Sequence, residues 1–415
     1  MEQSLLRKTA KIVWESPIGS TTLFRIFMAF FYRVFGDIPL EIFLFVGLVR
    51  GSDVATSILF VGSEDRAHLF ARLVYSRIEK IHYMGSFLPF QINLRRFDGA
   101  ELIVVQANKH FLDKLVDKGF LLLPWVRFGL DLRGSLNDIV KRAGEGRRRD
   151  IKEVERLDYS YTVLSDDDVG FDFFYWKMYL PYAKNRFEKA AITLTYPQMK
   201  AIYSRNGGIL LVKKGESFVS GYLFFIKGKT IWAQYIGENA KIEGLGKKMV
   251  GHALYFFLIQ WAKTQHLTEM DAGGALPLFS DGIFTYKKEW GMFVKKQYNH
   301  CWALRLNQPS EAALLLLQQN PFIFLENGKL KSAVFMGHRP MEAEVERALS
   351  KYCIPELDSS VVIAYYQPNP ADEKSKETSA RPRDSENTFP RALSGICSLL
   401  KKHGYTLEIH ERARI

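Results

Sequence analysis

The sequence has few cysteines, few prolines and no long uninterrupted hydrophobic run. Its 415 residues include three cysteines, 15 prolines and 30 glycines. Cys301, Cys353 and Cys397 are far apart and form no Cys-x-x-Cys pair. This spacing predicts neither a disulfide framework nor a cysteine metal site, and it favours a reducing, cytoplasmic location. The low proline and glycine contents exclude a collagen-like or wholly disordered chain.

The most apolar part of the N-terminal region, Leu23–Val49, is interrupted by charged residues. Its longest uncharged runs are Ile26–Tyr32 and Ile42–Val49. Both are far shorter than the roughly 20 apolar residues that a membrane-spanning helix needs, so we expect no transmembrane segment. The Phe-rich stretch Leu23–Tyr32 favours a buried helix, and peripheral contact with a membrane surface is the alternative.

Positive charge is in excess: 57 Lys and Arg residues against 45 Asp and Glu residues give a net charge of +12. A basic surface favours anionic partners, which include phosphorylated cofactors, RNA, anionic lipids and acidic glycans. An inert solvated surface is the alternative.

Alternating strand and helix patterns predict a mixed α/β chain, and its length predicts two to three domains. We expect domains at 1–145, 146–306 and 307–415, the last being a small α/β extension with a disordered segment at about 369–389. The boundary between the first two domains lies within the charged run Lys141–Arg156. The other predicted elements of the first and last domains are strands at Ser57–Val61, Leu102–Ala107, Leu121–Leu132, Ser359–Tyr366 and Tyr405–His410, and helices at Asn108–Lys118, Leu136–Arg142, Ser310–Gln319, Met341–Lys351 and Arg391–Lys402.

The middle domain has the most regular pattern. It begins with a predicted strand at Tyr159–Leu164. Further along, three strands with tight turns are followed by a loop, a long apolar helix and one more strand. Gly273-Gly274 is expected to end that strand. In chain order these elements are Gly208–Val212, Val219–Ile226, Thr230–Gly237, the loop Glu238–Leu245, the helix Gly246–Lys263, the strand Leu267–Asp271, a helix at about Leu278–Trp290 and a strand Phe293–Leu306.

The loop Lys241-x-x-Gly244-x-Gly246 leads directly into the long helix. Its glycines let the backbone approach a ligand closely, and the helix N-terminus carries partial positive charge, so the site suits a pyrophosphate. Lys247 and Lys248 oppose the helix dipole in the first turn, and a bound anion would explain them. A glycine-containing helix start without a ligand is the alternative.

This order of elements and this loop resemble the GCN5-related N-acetyltransferase (GNAT) family, whose loop begins with Arg or Gln where this chain has Lys241. Asp271-Ala-Gly-Gly274, followed by Tyr286-Lys287-x-x-Trp290-Gly291, is similar to the FemAB/BioF2-like branch. Arg147–Lys152 and Phe174-Tyr175 followed by Arg186 also resemble that branch. The resemblance implies tandem GNAT-like domains with central, mostly antiparallel mixed sheets.

The resemblance also implies residue roles. Coenzyme A would be bound by the loop and by the strand before it, through Ile236, Gly237, Lys241, Gly244, Leu245, Gly246, Lys247 and Lys248. An N–H near Ile236-Gly237 would be the oxyanion donor. Glu238 and Asp271 are candidate bases, Tyr286 a candidate acid, and Lys287 a candidate for stabilising negative charge. Structural or solvated roles are the alternative for each, and likewise for Arg147, Arg148 and Arg149 as phosphate contacts.

We therefore expect an N-acyltransferase that moves an acyl group from acyl-CoA to an amine of a small molecule, a sugar or a cell-envelope precursor. The alternatives are an aminoacyltransferase that uses aminoacyl-tRNA and a non-catalytic GNAT-like binding module. No metal site is expected, and no feature of the sequence specifies an oligomeric state.

Overall fold

The computed structural model describes residues 40–87, 92, 94, 99–107, 112, 119–187, 193–239, 245–295, 301–326, 328–337, 341–354, 360–368 and 405–413. The expectations for Leu23–Tyr32, most of Asn108–Lys118, Lys241, Gly244, the segment 369–389 and Arg391–Lys402 lie outside the described residues. Within the described ranges, no helix combines the length and apolar character required to cross a membrane.

The described chain forms two mixed sheets with helices packed on them, which confirms the predicted mixed α/β class. The first sheet has ten strands in the order β17-β16-β15-β14-β5-β13-β4-β2-β1-β3. Its strands are β1 (Leu40–Val49), β2 (Ala55–Gly62), β3 (Tyr75–Phe87), β4 (Leu102–Ala107), β5 (Phe120–Leu122), β13 (Cys301–Leu306), β14 (Phe322–Glu326), β15 (Lys329–Met336), β16 (Ser360–Pro368) and β17 (Tyr405–Ala413).

The second sheet has seven strands in the order β12-β6-β11-β10-β9-β8-β7. All its pairs are antiparallel except β10 with β11. Its strands are β6 (Val126–Asp131), β7 (Tyr159–Leu164), β8 (Gly207–Lys214), β9 (Ser217–Lys227), β10 (Thr230–Glu238), β11 (Glu269–Ala275) and β12 (Phe293–Lys295).

The helices begin where the sequence supplies caps. Ser135 and Asp138 form a capping box at α2, and the Ser310 hydroxyl accepts from the N–H of Ala313 at α9. The helices are α1 (Glu64–Val74), α2 (Leu136–Arg142), α3 (Glu145–Arg156), α4 (Asp168–Phe173), a π-helix (Phe174–Tyr179), α5 (Leu180–Phe187), α6 (Tyr196–Tyr203), α7 (Leu245–Thr264), α8 (Gly282–Glu289), α9 (Glu311–Gln319) and α10 (Glu342–Tyr352).

Two predicted strands are each divided between the sheets. Leu121–Leu132 splits into β5 and β6 around Pro124, which has no N–H to donate to a ladder. Phe293–Leu306 splits into β12, paired with β6, and β13, paired with β4 and β5. The strand predicted to end at Gly273-Gly274 continues as β11 to Ala275.

Sheet membership does not follow the predicted domain boundaries. β6 precedes residue 146 but belongs to the second sheet, and β13 precedes residue 307 but belongs to the first. The strands of the predicted C-terminal extension continue the first sheet, joined through the pair Leu325–Leu121. A strand pairs wherever its backbone groups find a partner, and distance along the chain does not decide this.

Candidate active site

The parallel strands β10 and β11 separate partway along their length. They pair only where Thr230–Trp232 faces Glu269–Asp271. Beyond this point β10 remains paired with β9 as far as Glu238, while β11 pairs with β6 through Ala275. Register shifts lie between Ala233 and Tyr235 in β10 and between Asp271 and Gly274 in β11. Such irregularities bend strands, and here they open a cleft.

A cavity of about 610 Å³ occupies this cleft. Its wall includes four polar side chains, Arg127, Gln234, Glu238 and Lys287. This mixture of aromatic surface and few polar groups is typical of sites for small molecules. The tyrosines of the wall are Tyr179, Tyr182, Tyr222, Tyr235, Tyr255 and Tyr286.

Lys287 lies on α8 and reaches the cavity although its side chain is only 4% exposed. The helix is oriented by Asp281, whose carboxylate accepts from the N–H groups of Ile283 and Leu276 at 2.9 Å each. Lys287 Nζ donates to the carbonyl of Gly274 at 2.8 Å. Burial lowers the pKa of Lys287 to about 7, against the opposing effect of Asp281 and Asp271. Protonated and neutral amine are therefore both present near neutral pH.

Asp271 is fully buried and its carboxylate is surrounded by donors. Arg127 donates to both oxygens, at 2.6 and 3.3 Å, Lys295 Nζ lies at 3.2 Å, and the N–H of Gly273 donates at 3.0 Å. A carboxylate held this way has little capacity left for a substrate proton. These contacts support a structural role for Asp271, and its role as a base stays a prediction.

Glycine is required at Gly273 and at Gly274 for different physical reasons. Gly273 has φ of +74°, in the left-handed region that glycine adopts without strain. At Gly274, an added Cβ would lie 1.5 Å from Trp125 Nε1, so the indole packs directly against this peptide. The Arg66 guanidinium, from α1 beside the first sheet, lies 4.8 Å from the centroid of the Trp125 ring. Trp125, at the rim of the cleft, is therefore contacted by a residue of α1.

Tyr286 also lines the cavity. Its hydroxyl donates to the carbonyl of Gly251 at 3.0 Å and lies 3.2 Å from His252 Nδ1. Burial raises the pKa of Tyr286 above its ordinary value. His252, which the sequence analysis did not single out, stacks on Tyr286 with ring centroids 5.4 Å apart.

Arg147 faces the same cluster. It forms ion pairs with Glu289 at 2.7 Å and Asp150 at 2.9 Å, and its guanidinium lies 5.0 Å from the Tyr286 ring centroid. Arg148 donates to the carbonyls of Lys141 and Ala143. These intramolecular partners favour a structural role over the predicted phosphate contacts for both arginines.

Among the predicted cofactor residues, Ile236 lines the cavity together with Glu238. An added Cβ on Gly237 would lie 2.6 Å from the backbone nitrogen of Tyr179, so the π-helix approaches β10 as only glycine permits. Leu245–Lys248 form the first turn of α7. The oxyanion role of the Ile236-Gly237 backbone stays a prediction.

Gln234 is a further residue that the sequence did not indicate. It lies at the β10 irregularity, and its amide nitrogen is buried in the cavity wall with no hydrogen-bond partner among the described residues. A buried amide without a partner is costly unless a ligand or water satisfies it. No sequence signal marks this position, because the bulge follows from pairing with β9. In the described part of the chain, no group of three His, Cys, Asp or Glu residues could hold a metal ion.

No protein-family model matches the sequence, and no curated protein matches it. Solved structures give weak similarities. FemX is 12% identical over 64% of this chain and 85% of its own, with a TM-score of 0.35. L-PGS from Bacillus licheniformis is 15% identical over 65% and 87%, with a TM-score of 0.32. A GCN5-related N-acetyltransferase from Anabaena variabilis is 10% identical over 80% and 83%, with a TM-score of 0.28. Similarities this weak assign neither a substrate nor a residue role to this chain.

Proposed function

We propose that this chain is a transferase that moves an acyl group from acyl-CoA to the amine of a small molecule, a sugar or a cell-envelope precursor. The observation that carries the proposal is the cleft between β10 and β11 with Lys287 buried at its wall. The separation lies between β10, the strand that precedes the long helix α7, and β11, the strand that follows it.

An extended thioester donor suits this shape. Beyond Trp232, the edge of β10 facing the cleft is not paired with β11, so its backbone groups are available to an amide-containing arm. The 20-residue helix α7 begins at Leu245, shortly after β10 ends at Glu238. Its N-terminus would favour the negative charge of a pyrophosphate.

Acyl transfer to an amine needs stabilisation of the oxyanion that forms as the nitrogen attacks the carbonyl. Protonated Lys287 has three N–H donors, and its described hydrogen bond to Gly274 uses one of them. It can donate another to the developing oxyanion. Glu238, on the opposite strand of the cleft, would attract the acceptor amine as a cation.

The net charge of +12 favours a second donor, aminoacyl-tRNA. Binding of RNA depends steeply on salt because phosphate contacts release counterions, whereas a single pyrophosphate contact gives a shallow dependence. Affinity measured at two salt concentrations therefore separates the two donors.

Calorimetric titration with acetyl-CoA tests the proposal, with Gly251→Leu as the blocking variant. Gly251 lines the cavity, and an added Cβ meets only the Tyr286 hydroxyl, at 3.8 Å. Gly146→Leu is the matched control, because Gly146 also lies within a helix with open space at its Cβ but outside the cavity. We expect binding to the native chain and to Gly146→Leu, and at least tenfold weaker binding to Gly251→Leu.

Absence of acetyl-CoA binding to the folded native chain would overturn the coenzyme A proposal and direct attention to charged tRNA. Equal affinity in both variants would place the donor outside the cleft. Binding without release of free coenzyme A across a panel of amines would favour the non-catalytic module.

A further inference from the structure

A buried polar cluster lies beside Tyr286, and its members His252 and Asp150 are not among the residues that line the cavity. His252, on α7, is 8% exposed. Its Nδ1 lies 3.2 Å from the Tyr286 hydroxyl, and its Nε2 lies 3.6 Å from the carboxylate of Asp150 on α3. The imidazole therefore lies between a carboxylate and the hydroxyl of a residue in the cavity wall.

Charged groups surround His252. Arg147 Nη1 lies 2.7 and 2.8 Å from the two ring nitrogens, and this cation opposes protonation of the ring. The Asp150 carboxylate, 3.6 Å from Nε2, has the opposite effect, and Arg147 is itself paired with Asp150 and with Glu289 of α8. A proton on the imidazole would therefore lie between groups of opposite charge.

We propose that His252 is a proton relay that acts through Tyr286 on the transfer reaction, with Asp150 stabilising its protonated form. This inference rests on the proposed function. His252 does not touch the substrate in this scheme; Tyr286 does.

The proton balance closes with one proton released to water. The acceptor amine, attracted as a cation by Glu238, first gives one proton to bulk water. The neutral amine nitrogen then bonds to the acyl carbon while its proton passes to Tyr286 Oη, and the Tyr286 hydroxyl proton turns from the Gly251 carbonyl to His252 Nδ1. As the carbon–sulfur bond breaks, His252 returns its proton to Tyr286 Oη, and Tyr286 gives its own to the leaving thiolate. The products are an amide and a free thiol, and both side chains regain their initial states.

Tyr286 acting alone would be a weak acid, because burial raises the pKa of its hydroxyl. A tyrosine in this environment can give up its proton only if another replaces it at the same time. His252 is the described titratable side chain within hydrogen-bond distance of the Tyr286 hydroxyl. The alternative is a purely structural role, in which the cluster only joins α3, α7 and α8.

The first test does not need activity. Ring ¹⁵N shifts of histidine-labelled full chain are followed from pH 5 to 9, with His252 assigned by His252→Gln. We expect His252 to titrate within this range and its Nδ1 signal to shift in Tyr286→Phe. A His252 ring that keeps one state throughout, or ignores the loss of the tyrosine hydroxyl, would overturn the relay.

The second test uses release of free coenzyme A from acetyl-CoA with an accepted amine. We expect His252→Gln to lower kcat about 10²-fold at unchanged KM, and to lose the acidic limb of the kcat profile, which falls as His252 becomes protonated before the reaction. Tyr286→Phe should lower kcat by a similar factor. The double variant of His252→Gln and Tyr286→Phe should lower kcat little further, because the two residues act on the same proton.

The control is His266→Asn, at the exposed end of the same helix, where φ is +54° and asparagine is well tolerated. Unchanged pH dependence in His252→Gln would contradict the relay while leaving the transferase proposal intact. If the native chain binds no acetyl-CoA, the proposed function fails, and the shift measurements still decide whether His252 and Tyr286 exchange a proton.

Discussion

Both sheets contain parallel pairs between antiparallel neighbours: β2 with β4 and β15 with β16 in the first, and β10 with β11 in the second. The pairs β2–β4 and β10–β11 differ in how far the two strands stay together. In the first sheet, β2 and β4 stay in register from Ile58–Leu102 to Val61–Val105, and the void beside them is about 10 Å³ with a largely apolar lining. In the second, β10 and β11 separate after three residue pairs, and the cavity is about 610 Å³.

The difference shows that parallel strand pairing does not by itself create a cavity. At the end of β2, a Cβ on Gly62 would lie 2.7 Å from the Gln106 Cβ on the neighbouring segment, so the closed pair is tightly packed. In the open pair, the register of both strands is irregular beyond the last paired position, where the buried Asp271 forms ion pairs with Arg127 and Lys295. Four predictions test this contrast.

Asp271→Asn should have the largest effect on stability. Loss of the charge leaves Arg127 and Lys295 with a weaker partner at the last paired position of β11, and we expect about 3 kcal/mol lower free energy of unfolding. Denaturant titration measures this. The control Glu145→Gln, which removes an exposed partner of Arg149, should cost under about 1 kcal/mol. A stable Asp271→Asn protein with abolished activity would instead support Asp271 as the base.

Lys287→Met should reduce transfer about 10²-fold by removing an oxyanion donor. Unlike Asp271→Asn, Lys287→Met should raise the free energy of unfolding. The folded pKa of about 7 lies below the ordinary value of 10.5, so the unfolded chain binds more protons between these values. The lysine therefore destabilises the fold most below pH 7, and this cost disappears as pH rises toward 10.5.

The variant should accordingly be more stable than the native chain at pH 6, and the difference should shrink by pH 9 to 10. Unfolding at both pH values measures it. A difference that does not depend on pH would contradict the lowered pKa.

Gly62→Ala compared with Gly282→Ala tests packing at the closed pair and at the wall of the cavity. The first adds a methyl group against Gln106 and Phe60, at 2.7 and 2.8 Å, and should cost about 1–3 kcal/mol. The second adds one at the start of α8, at the cavity wall, with no atom within 4 Å, and should change stability by less than about 0.5 kcal/mol. Equal costs would mean that the cavity wall is as tightly packed as the closed pair.

The smallest effect is expected where the two regions meet. A double-mutant cycle of Arg66→Gln and Trp125→Leu should give a coupling of about 0.5–1 kcal/mol in unfolding, because the guanidinium lies over the indole. A coupling of zero would mean that the contact between Arg66 and Trp125 does not stabilise the fold.

Periodicity and turn residues predicted much of the second sheet. The strand Tyr159–Leu164 and the helix Leu136–Arg142 have the predicted bounds, and α7 extends the predicted helix by one residue at each end. These elements carry their own signals, namely alternation, caps and a long apolar stretch. β1 and β3 were not predicted, because their runs lack a clear alternating pattern.

Of the candidate site, Lys287, Tyr286, Glu238 and Ile236 were named from motif positions, and the structure brings all four to one cavity. His252, Gln234 and Trp125 were not. They reach the site from a helix face, a bulge and the connection between the sheets, so no local pattern marks them.

Local sequence signals were sufficient for the mixed α/β class and for the order of strands and helices around the cleft, because these depend on neighbours along the chain. Folding establishes which sheet each strand joins, where β10 and β11 part, and the burial of the Lys287 amine that lowers its pKa to about 7. Pairing partners and desolvation depend on groups that are distant in sequence, and those groups meet only when the chain has folded.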